Sequence, residues 1–408
     1  MLKIGTSTKE SKWFLLLGGG MLIGLAAVIA VFTLGHSHVY NTSREVPWGI
    51  LISSYVFFAV SCSGLCLISS LGHVFGIEQF HASARRAIIL AIIMLVCGFG
   101  VIAMELEKPL ALVIYAVLSP NLESPIWWMG ALYGIYLAVL IVEFYYCMKA
   151  NRVGAFYTGL VGFILAIAAP SNLGGVFGLL SARPFWSGVF SPVYLVVTAL
   201  TSGTALMGLV HYLKVRCRDL DFCRHDHNYL FLLGRILALL LGILMFLTIW
   251  RFISGLYQQQ EGMHDALLVL LKGPLAFNFW VFEVLLGMLI PFAMILTPSF
   301  RNPLGLTVAS VLSLIGMFFM RYDFVVAGQL VPVRAGTTET LDGLLRYTPS
   351  LAELGIVVGG FALCLFLYTL AEKVFDLEVR HVHLPDGSTA TSCQGVAITD
   401  EELGAHTH

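Results

Sequence analysis

Residues 87–104 read AIILAIIMLVCGFGVIAM, bounded by Arg85-Arg86 before and by Glu105-Leu106-Glu107-Lys108 after. A run of this length with no charged side chain crosses the ~30 Å hydrocarbon core of a bilayer as an α-helix. Similar runs lie on both sides of it, and the reading places spans at about 13–35, 48–75, 85–106, 126–148, 154–170, 190–213, 228–254, 276–297, 304–326 and 350–371. Composition agrees. Hydrophobic residues make up 58% of the chain, charged residues 12%, and mean hydropathy is +0.87, where a soluble domain carries roughly 25% charge. The fold class expected is an all-α polytopic membrane protein of about ten transmembrane helices. Few polar stretches remain between the spans, so any large chemistry outside the membrane belongs to a partner.

Spans 2 and 6 look related. Phe57–Gly64 leads to His73 in one, and Tyr194–Gly203 leads to His211 in the other. Each next span ends on an ionisable group, Glu105 or Arg251, and opens into a loop with its own apolar stretch, 110–118 or 266–271. This organisation predicts two four-helix bundles, helices 2–5 and 6–9, flanked by helices 1 and 10. The corresponding divisions are 1–47, 48–189, 190–328, 329–375 and a polar tail over 376–408. Span 5 is the shortest. Pro170 and the Gly174-Gly175 pair predict a helix break there, whose freed backbone groups are tolerated only in protein or beside a cavity.

Lysines and arginines concentrate at the N-terminus, in the tail and in the loops after spans 2, 4, 6 and 8, among them Arg85, Arg86, Lys149, Arg152, Lys214, Arg216, Arg301 and Lys373. The positive-inside rule then makes both termini cytoplasmic. The run from Trp13 is too long for a signal peptide, so an uncleaved first helix is expected. A net charge of −1 without a basic patch gives no sign of nucleic-acid binding. The cysteines form no disulfide framework: most lie in spans, and Cys217, Cys223 and Cys393 are on the reducing side. No nucleotide or iron–sulfur motif is present. Haem is not expected, because the membrane-depth histidines, His73 and His211, form no axial pair at two depths. The spacing of Cys217, Cys223, His225 and His227 does not fit the usual zinc pattern, so no metal site is expected.

An ionisable group at membrane depth marks a functional site by default. Glu105, Arg251, Glu283, Arg321, Asp323 and Glu353 all fall toward one end of their spans, which the orientation places outside. Glu105, after a wholly apolar helix, is a solvated interfacial carboxylate or, packed inward, a proton acceptor. Ser171 and Asn172 could donate to a carbonyl oxygen, or simply close a helix. Trp48, Trp127 and Trp128 form an aromatic belt or line an entrance for a flat, lipid-soluble ring. Arg251, Glu283, Arg321, Asp323 and Glu353 suggest a polar network of the second bundle. Glu143, Arg235, His73 and His211 lie toward the other side, where they snorkel to the interface or begin a proton path.

Several short motifs recur in order along the chain: Val46-Pro47-Trp48-Gly49, Glu143-Phe144, Ser171-Asn172 with Gly175, Ala182-Arg183-Pro184 with Trp186, Glu283, Arg321, and Tyr347 with Pro349-Ser350 and Glu353. With these, the chain resembles the NrfD/PsrC family, the integral membrane subunits of polysulfide-reductase-type complexes, and is most similar to its ten-helix branch. The resemblance runs from about Arg44 to Phe375. It implies a quinone-reactive subunit of the bacterial inner membrane with no haem, iron–sulfur cluster or metal of its own. Menaquinone or ubiquinone would be the substrate. The partner would be a periplasmic iron–sulfur protein, with a molybdoenzyme or multihaem cytochrome beyond it. By motif, Trp48, Tyr55, Glu105, Ser171 and Asn172 would line the quinone site. Several relatives carry a histidine at or just before the Ser-Asn segment, where this chain has Pro170, and that shifts the protonation role to Glu105. Two other classes remain open on composition alone: a secondary transporter of an ion or small solute, and a purely structural membrane anchor.

Overall fold

A computed structural model describes residues 8–217, 222, 224–258, 260, 262–333 and 343–377. The expected cytoplasmic tail beyond Leu377 and Cys223 of the candidate zinc set lie outside the described residues. Ten helices are long and apolar enough to cross a membrane. They are α1 (Thr8–Leu34), α2 (Ile50–His73), α3 (Ala84–Glu105), α4 (Pro125–Met148), α5 (Arg152–Gly178), α6 (Phe190–Cys217), α7 (Arg224–Gln258), α8 (Asn278–Leu296), α9 (Pro303–Leu330) and α10 (Leu351–Val374). The apolar stretches expected in the long loops form short helices of their own, Pro109–Leu118 and Met263–Leu271.

Packing follows from which helices can give up lipid contact. In α2 the most apolar window is 94% buried, against 22% in α1, so α2 is the axis of the molecule and α1 its rim. Helix α2 packs on α3 and α5, α3 on α4, and α4 on α5; α6 packs on α7 and α9, and α8 on α7 and α9. Contacts of α2 with α6 and α9, and of α5 with α6, join the two sets, while α10 lies on α3 and α1 on α10. At the α2–α6 crossing Gly64 faces Gly203 so closely that a Cβ on either would strike the other helix's backbone. Without a hydrophobic drive between helices in lipid, such close backbone contact is a main source of association. Helices α2 and α6 therefore meet at a glycine from each.

One sequence expectation fails. Helix α5 does not end at Pro170 but continues through Ser171 and Asn172 to Gly178. Proline removes one backbone donor and crowds the carbonyl four residues earlier. That residue is Ala166, small and fully buried, and membrane helices tolerate proline where neighbouring helices support the freed groups. Gly174, instead of breaking the helix, lets it close onto Pro192. Helix α9 also runs past its expected end at 326, leaving Arg321 about 13 Å short of Leu330 at ~1.5 Å rise per residue. In α8 the stretch Asn278–Leu289 winds as a π-helix and returns to α at Ile290, one residue before Pro291.

Candidate functional site

The end of the first bundle where α2 begins is built by the recurrent motifs. Val46-Pro47-Trp48-Gly49 delivers the chain into α2. The Trp48 amide donates to Gln329 Oε1 at 3.0 Å, and Gln329 Nε2 donates back to the Trp48 carbonyl at 2.8 Å. The Trp48 ring lies against Phe177 and Trp186, with centroids 5.2 and 5.5 Å away. Trp186 is held by donating to the Phe324 carbonyl. Arg183, in a tight loop just beyond the end of α5, donates to the Gln329 and Val331 carbonyls at 3.1 and 2.7 Å and to the Glu45 carbonyl. It thereby closes the C-terminal end of α9, where orphan carbonyls need donors.

The motif opening α10 has an equally specific task. Ser350 and Glu353 form a reciprocal capping box, with Ser350 N donating to Glu353 Oε2 at 2.7 Å and Glu353 N donating to Ser350 Oγ at 3.1 Å. The same carboxylate accepts the Tyr347 hydroxyl and the Asn41 amide. Burial, and then Glu353, push the Tyr347 phenol above its usual range, so it stays a donor. Glu353 therefore belongs with the α2 entrance and not with the acids and arginines of the second bundle.

Glu105 closes α3 beside this entrance. Its Oε2 is buried and has no hydrogen-bond partner among the described residues. The preceding carbonyl, Met104 O, accepts Tyr40 OH at 2.8 Å and lies 3.1 Å from His36 Nε2. Burial, with the carboxyls of Glu105 and Glu353 nearby, pushes the Tyr40 phenol up and keeps it a donor. On α2, two turns in from Trp48, Tyr55 is buried with its ring 6.4 Å from that of Tyr133 on α4. On α5, Asn172 Oδ1 is also buried and has no partner among the described residues. Ser171 differs: its hydroxyl donates to Ile167 O within the helix at 2.6 Å, which commits its single proton. Because α2 and α4 begin at this end while α3 and α5 finish there, Trp48, Tyr55, Glu105, Tyr133 and Asn172 all belong to the same half of one bundle.

From there a buried polar column descends α4. Tyr133, Tyr136, Glu143 and Cys147 recur at three- to seven-residue spacing on the inward face. The Tyr133 and Tyr136 rings are 6.4 Å apart; Ser63 lies beside the first hydroxyl and Cys62 and Cys66 beside the second, and among the described residues neither hydroxyl makes a well-formed hydrogen bond, nor does either oxygen of the fully buried Glu143. Gly159 and Gly162 of α5 make room for that carboxyl: ideal Cβ atoms there would lie 3.2 and 3.1 Å from its oxygens. Cys147 Sγ is 3.5 Å from His73 Nε2 at the far end of α2. Cys147, one helical turn beyond Glu143, is thus the residue of α4 that meets His73. The structure places His211 elsewhere, 3.0 Å from Asp226 Oδ1 and against the Tyr229 ring, whose hydroxyl pairs with Ser83 at the start of α3. Arg235 is exposed on the outer side of α7. Sequence reading misses Tyr133 and Tyr136; their spacing to Glu143 carries the signal.

Between α6, α7, α8 and α9, Arg251, Glu283 and Asp323 line a cavity of about 10 Å³ with Tyr194 and Thr248, the volume of about one water. Arg251 donates to Phe185 O at 2.8 Å and lies over the Phe185 ring, 3.9 Å from its centroid. Among the described residues both Asp323 oxygens and Thr248 Oγ1 are buried without a well-formed hydrogen bond, with Asn278 beside Asp323 and Tyr194 beside Thr248. Arg321 is separate, donating to Met317 O and Ser202 Oγ and lying over Phe57 at the junction of α2, α6 and α9. Among the described residues none of these four charged groups makes an ion pair within 4.0 Å.

The architecture defines a ten-helix membrane protein whose helices α2–α5 enclose polar groups, several of them without a partner among the described residues. The chain belongs to the NrfD family: the model described as "Polysulphide reductase, NrfD" matches residues 38–333. It is similar, at 28% identity over 378 residues, to the Hdr-like menaquinol oxidoreductase integral membrane subunit of Archaeoglobus fulgidus, covering 88% of this chain and 93% of that one. It is also similar to the C subunit of the selenate reductase of Mesobacillus selenatarsenatis, at 23% identity with 83% and 88% covered.

Proposed function

We propose that this chain is the quinone-reactive membrane subunit of a respiratory oxidoreductase complex, with its quinone site at the Trp48 end of the first bundle. The observation that carries the reading is the pair of buried acceptors there without a partner among the described residues, Glu105 Oε2 and Asn172 Oδ1. A buried polar atom without a partner costs about 1–3 kcal/mol, and the two hydroxyls of a quinol supply the donors that Glu105 Oε2 and Asn172 Oδ1 lack. Oxidation of a quinol to a quinone releases two electrons and two protons. Glu105 accepts one proton and the second leaves to water at this face of the membrane, while the Asn172 amide oxygen accepts from a quinol hydroxyl and Trp48 and Tyr55 flank the ring. The electrons pass to a carrier in a partner. Family membership and the relative named as a menaquinol oxidoreductase subunit support a quinone substrate, menaquinone or ubiquinone.

On this reading both termini are cytoplasmic, the membrane is the bacterial inner membrane, and the Trp48 end faces the periplasm. An iron–sulfur protein docks there, with a molybdoenzyme or multihaem cytochrome behind it. The column Tyr136, Glu143, Cys147 and His73 connects the site toward the cytoplasm and supports proton movement along the first bundle, while His211 with Asp226 and Arg235 stand outside that column. Binding of a quinone analogue to the purified complex, compared between wild type and a Glu105→Gln, Asn172→Ala variant, tests the site; affinity that does not change overturns it. The buried Arg251–Glu283–Asp323 cavity favours a second reading, in which the second bundle moves a proton or other cation. Reconstituted vesicles in which Asp323→Asn leaves ion movement intact would dismiss it.

A further inference from the structure

The strongest feature that this function does not absorb is a groove of about 820 Å³ between α7, α8 and the start of α9. One wall is a single face of α7, where Arg235, Leu239, Gly242, Ile243 and Phe246 follow at helical spacing. Leu239, Ile243 and Phe246 are exposed. Phe292, Ile295 and Leu296 form the opposite wall, and Arg301 stands at its end. Arg301 is fixed there by donating through Nε to Ile295 O at 3.3 Å and through Nη2 to Leu296 O at 3.0 Å, which leaves its other donors free of those carbonyls.

Arg235 lies about 16 Å along α7 from Arg224 at ~1.5 Å per residue, within the span. Among the described residues it makes no hydrogen bond or ion pair. A guanidinium at membrane depth requires an anion or water. A long apolar furrow with two cations at one end is complementary to a molecule with an acyl chain and a phosphate. That end also carries Arg85, Lys149, Arg152, Arg216 and Arg224 in the neighbouring turns and loops, the membrane face toward which anionic headgroups are drawn.

We infer that this groove is a binding site for one anionic phospholipid of the surrounding bilayer. Its phosphate lies between Arg235 and Arg301, and an acyl chain runs along Leu239, Ile243 and Phe246. The Gly242 backbone forms the floor: a Cβ there would meet only Phe292, at an ordinary 3.8 Å, so the space beside it is open to the chain.

The test purifies the protein, with whatever partners accompany it, from its own membranes in mild detergent and measures retained phospholipids by mass spectrometry. Wild type should retain anionic phospholipid through extensive washing. Arg235→Gln with Arg301→Gln should lower that retention roughly tenfold or more and leave zwitterionic lipid unchanged. Gly242→Leu, with both arginines intact, should lower it by filling the groove, and it decides the matter if the double variant does not accumulate. Anionic lipid retained equally by wild type and variants overturns the proposal. So does wild-type retention of zwitterionic lipid alone, or a cross-link from a cysteine at Phe246 to a partner helix lying in the groove.

Discussion

Glu353 accepts the Tyr347 hydroxyl at 2.7 Å, and the same hydroxyl accepts the Ile50 amide at 2.9 Å. This two-bond bridge ties the first turn of α10 to the first turn of α2, at the mouth of the proposed quinone site. Tyr347→Phe leaves Glu353 short of one donor and the Ile50 amide without its acceptor. A loss of about 1–3 kcal/mol is expected, seen as a lower thermal unfolding midpoint in detergent, with Glu353→Gln milder because the amide still accepts from Ser350.

Arg183 should be more sensitive than its half-exposed position suggests. It donates to carbonyls of α9 and to Glu45, and hydrogen bonds from a charged group are worth about 1.5–3 kcal/mol. Arg183→Ala is expected to destabilise by that order and to loosen Trp48 through Gln329. Arg183→Lys should recover only part of it, because an ammonium cannot reproduce the planar fork. Unfolding midpoints of the two variants, compared with wild type, check the ranking.

The α2–α6 crossing allows no side chain. Gly64→Val and Gly203→Val place atoms inside the opposing backbone, and each should prevent accumulation of the folded protein. Gly175→Ala, where a Cβ meets nothing within 4 Å, should accumulate normally. Membrane levels of tagged protein measure the contrast.

Glu143 separates stability from proton movement. Its carboxyl is buried with neither oxygen partnered among the described residues, so an apolar residue of similar size removes an uncompensated polar group and should leave stability unchanged or raised. Glu143→Leu should therefore fold and bind quinone analogue as wild type does, yet lose any acidification change coupled to turnover in proteoliposomes. Unaltered proton movement would remove Glu143 from the path.

The spans are legible because a charge-free run of such length has few alternatives, and the motif order points to the family. Local chemistry is harder to read. Pro170 and Gly174-Gly175 signal a break in an isolated helix, but Ala166 and Pro192 supply room that only packing reveals. Glu353 reads as a member of a charged layer because it shares a depth with Arg251 and Glu283; its partners, Tyr347 and Asn41, come from segments outside that layer. Tyr133 and Tyr136 sit in a run of aromatic and aliphatic residues, where a phenol is indistinguishable from core until its hydroxyl is found without a well-formed hydrogen bond among the described residues.

The central claim is that Glu105 and Asn172 form one quinone site. The most direct measurement is equilibrium binding of a quinone-site inhibitor to the purified complex, for wild type, Glu105→Gln, Asn172→Ala and the pair. Loss of one buried hydrogen bond should weaken binding by roughly tenfold in each single variant, about 1.4 kcal/mol, with coupling between the two in the double-mutant cycle. Inhibitor affinity that is the same in all four proteins, with the fold intact, would contradict the account.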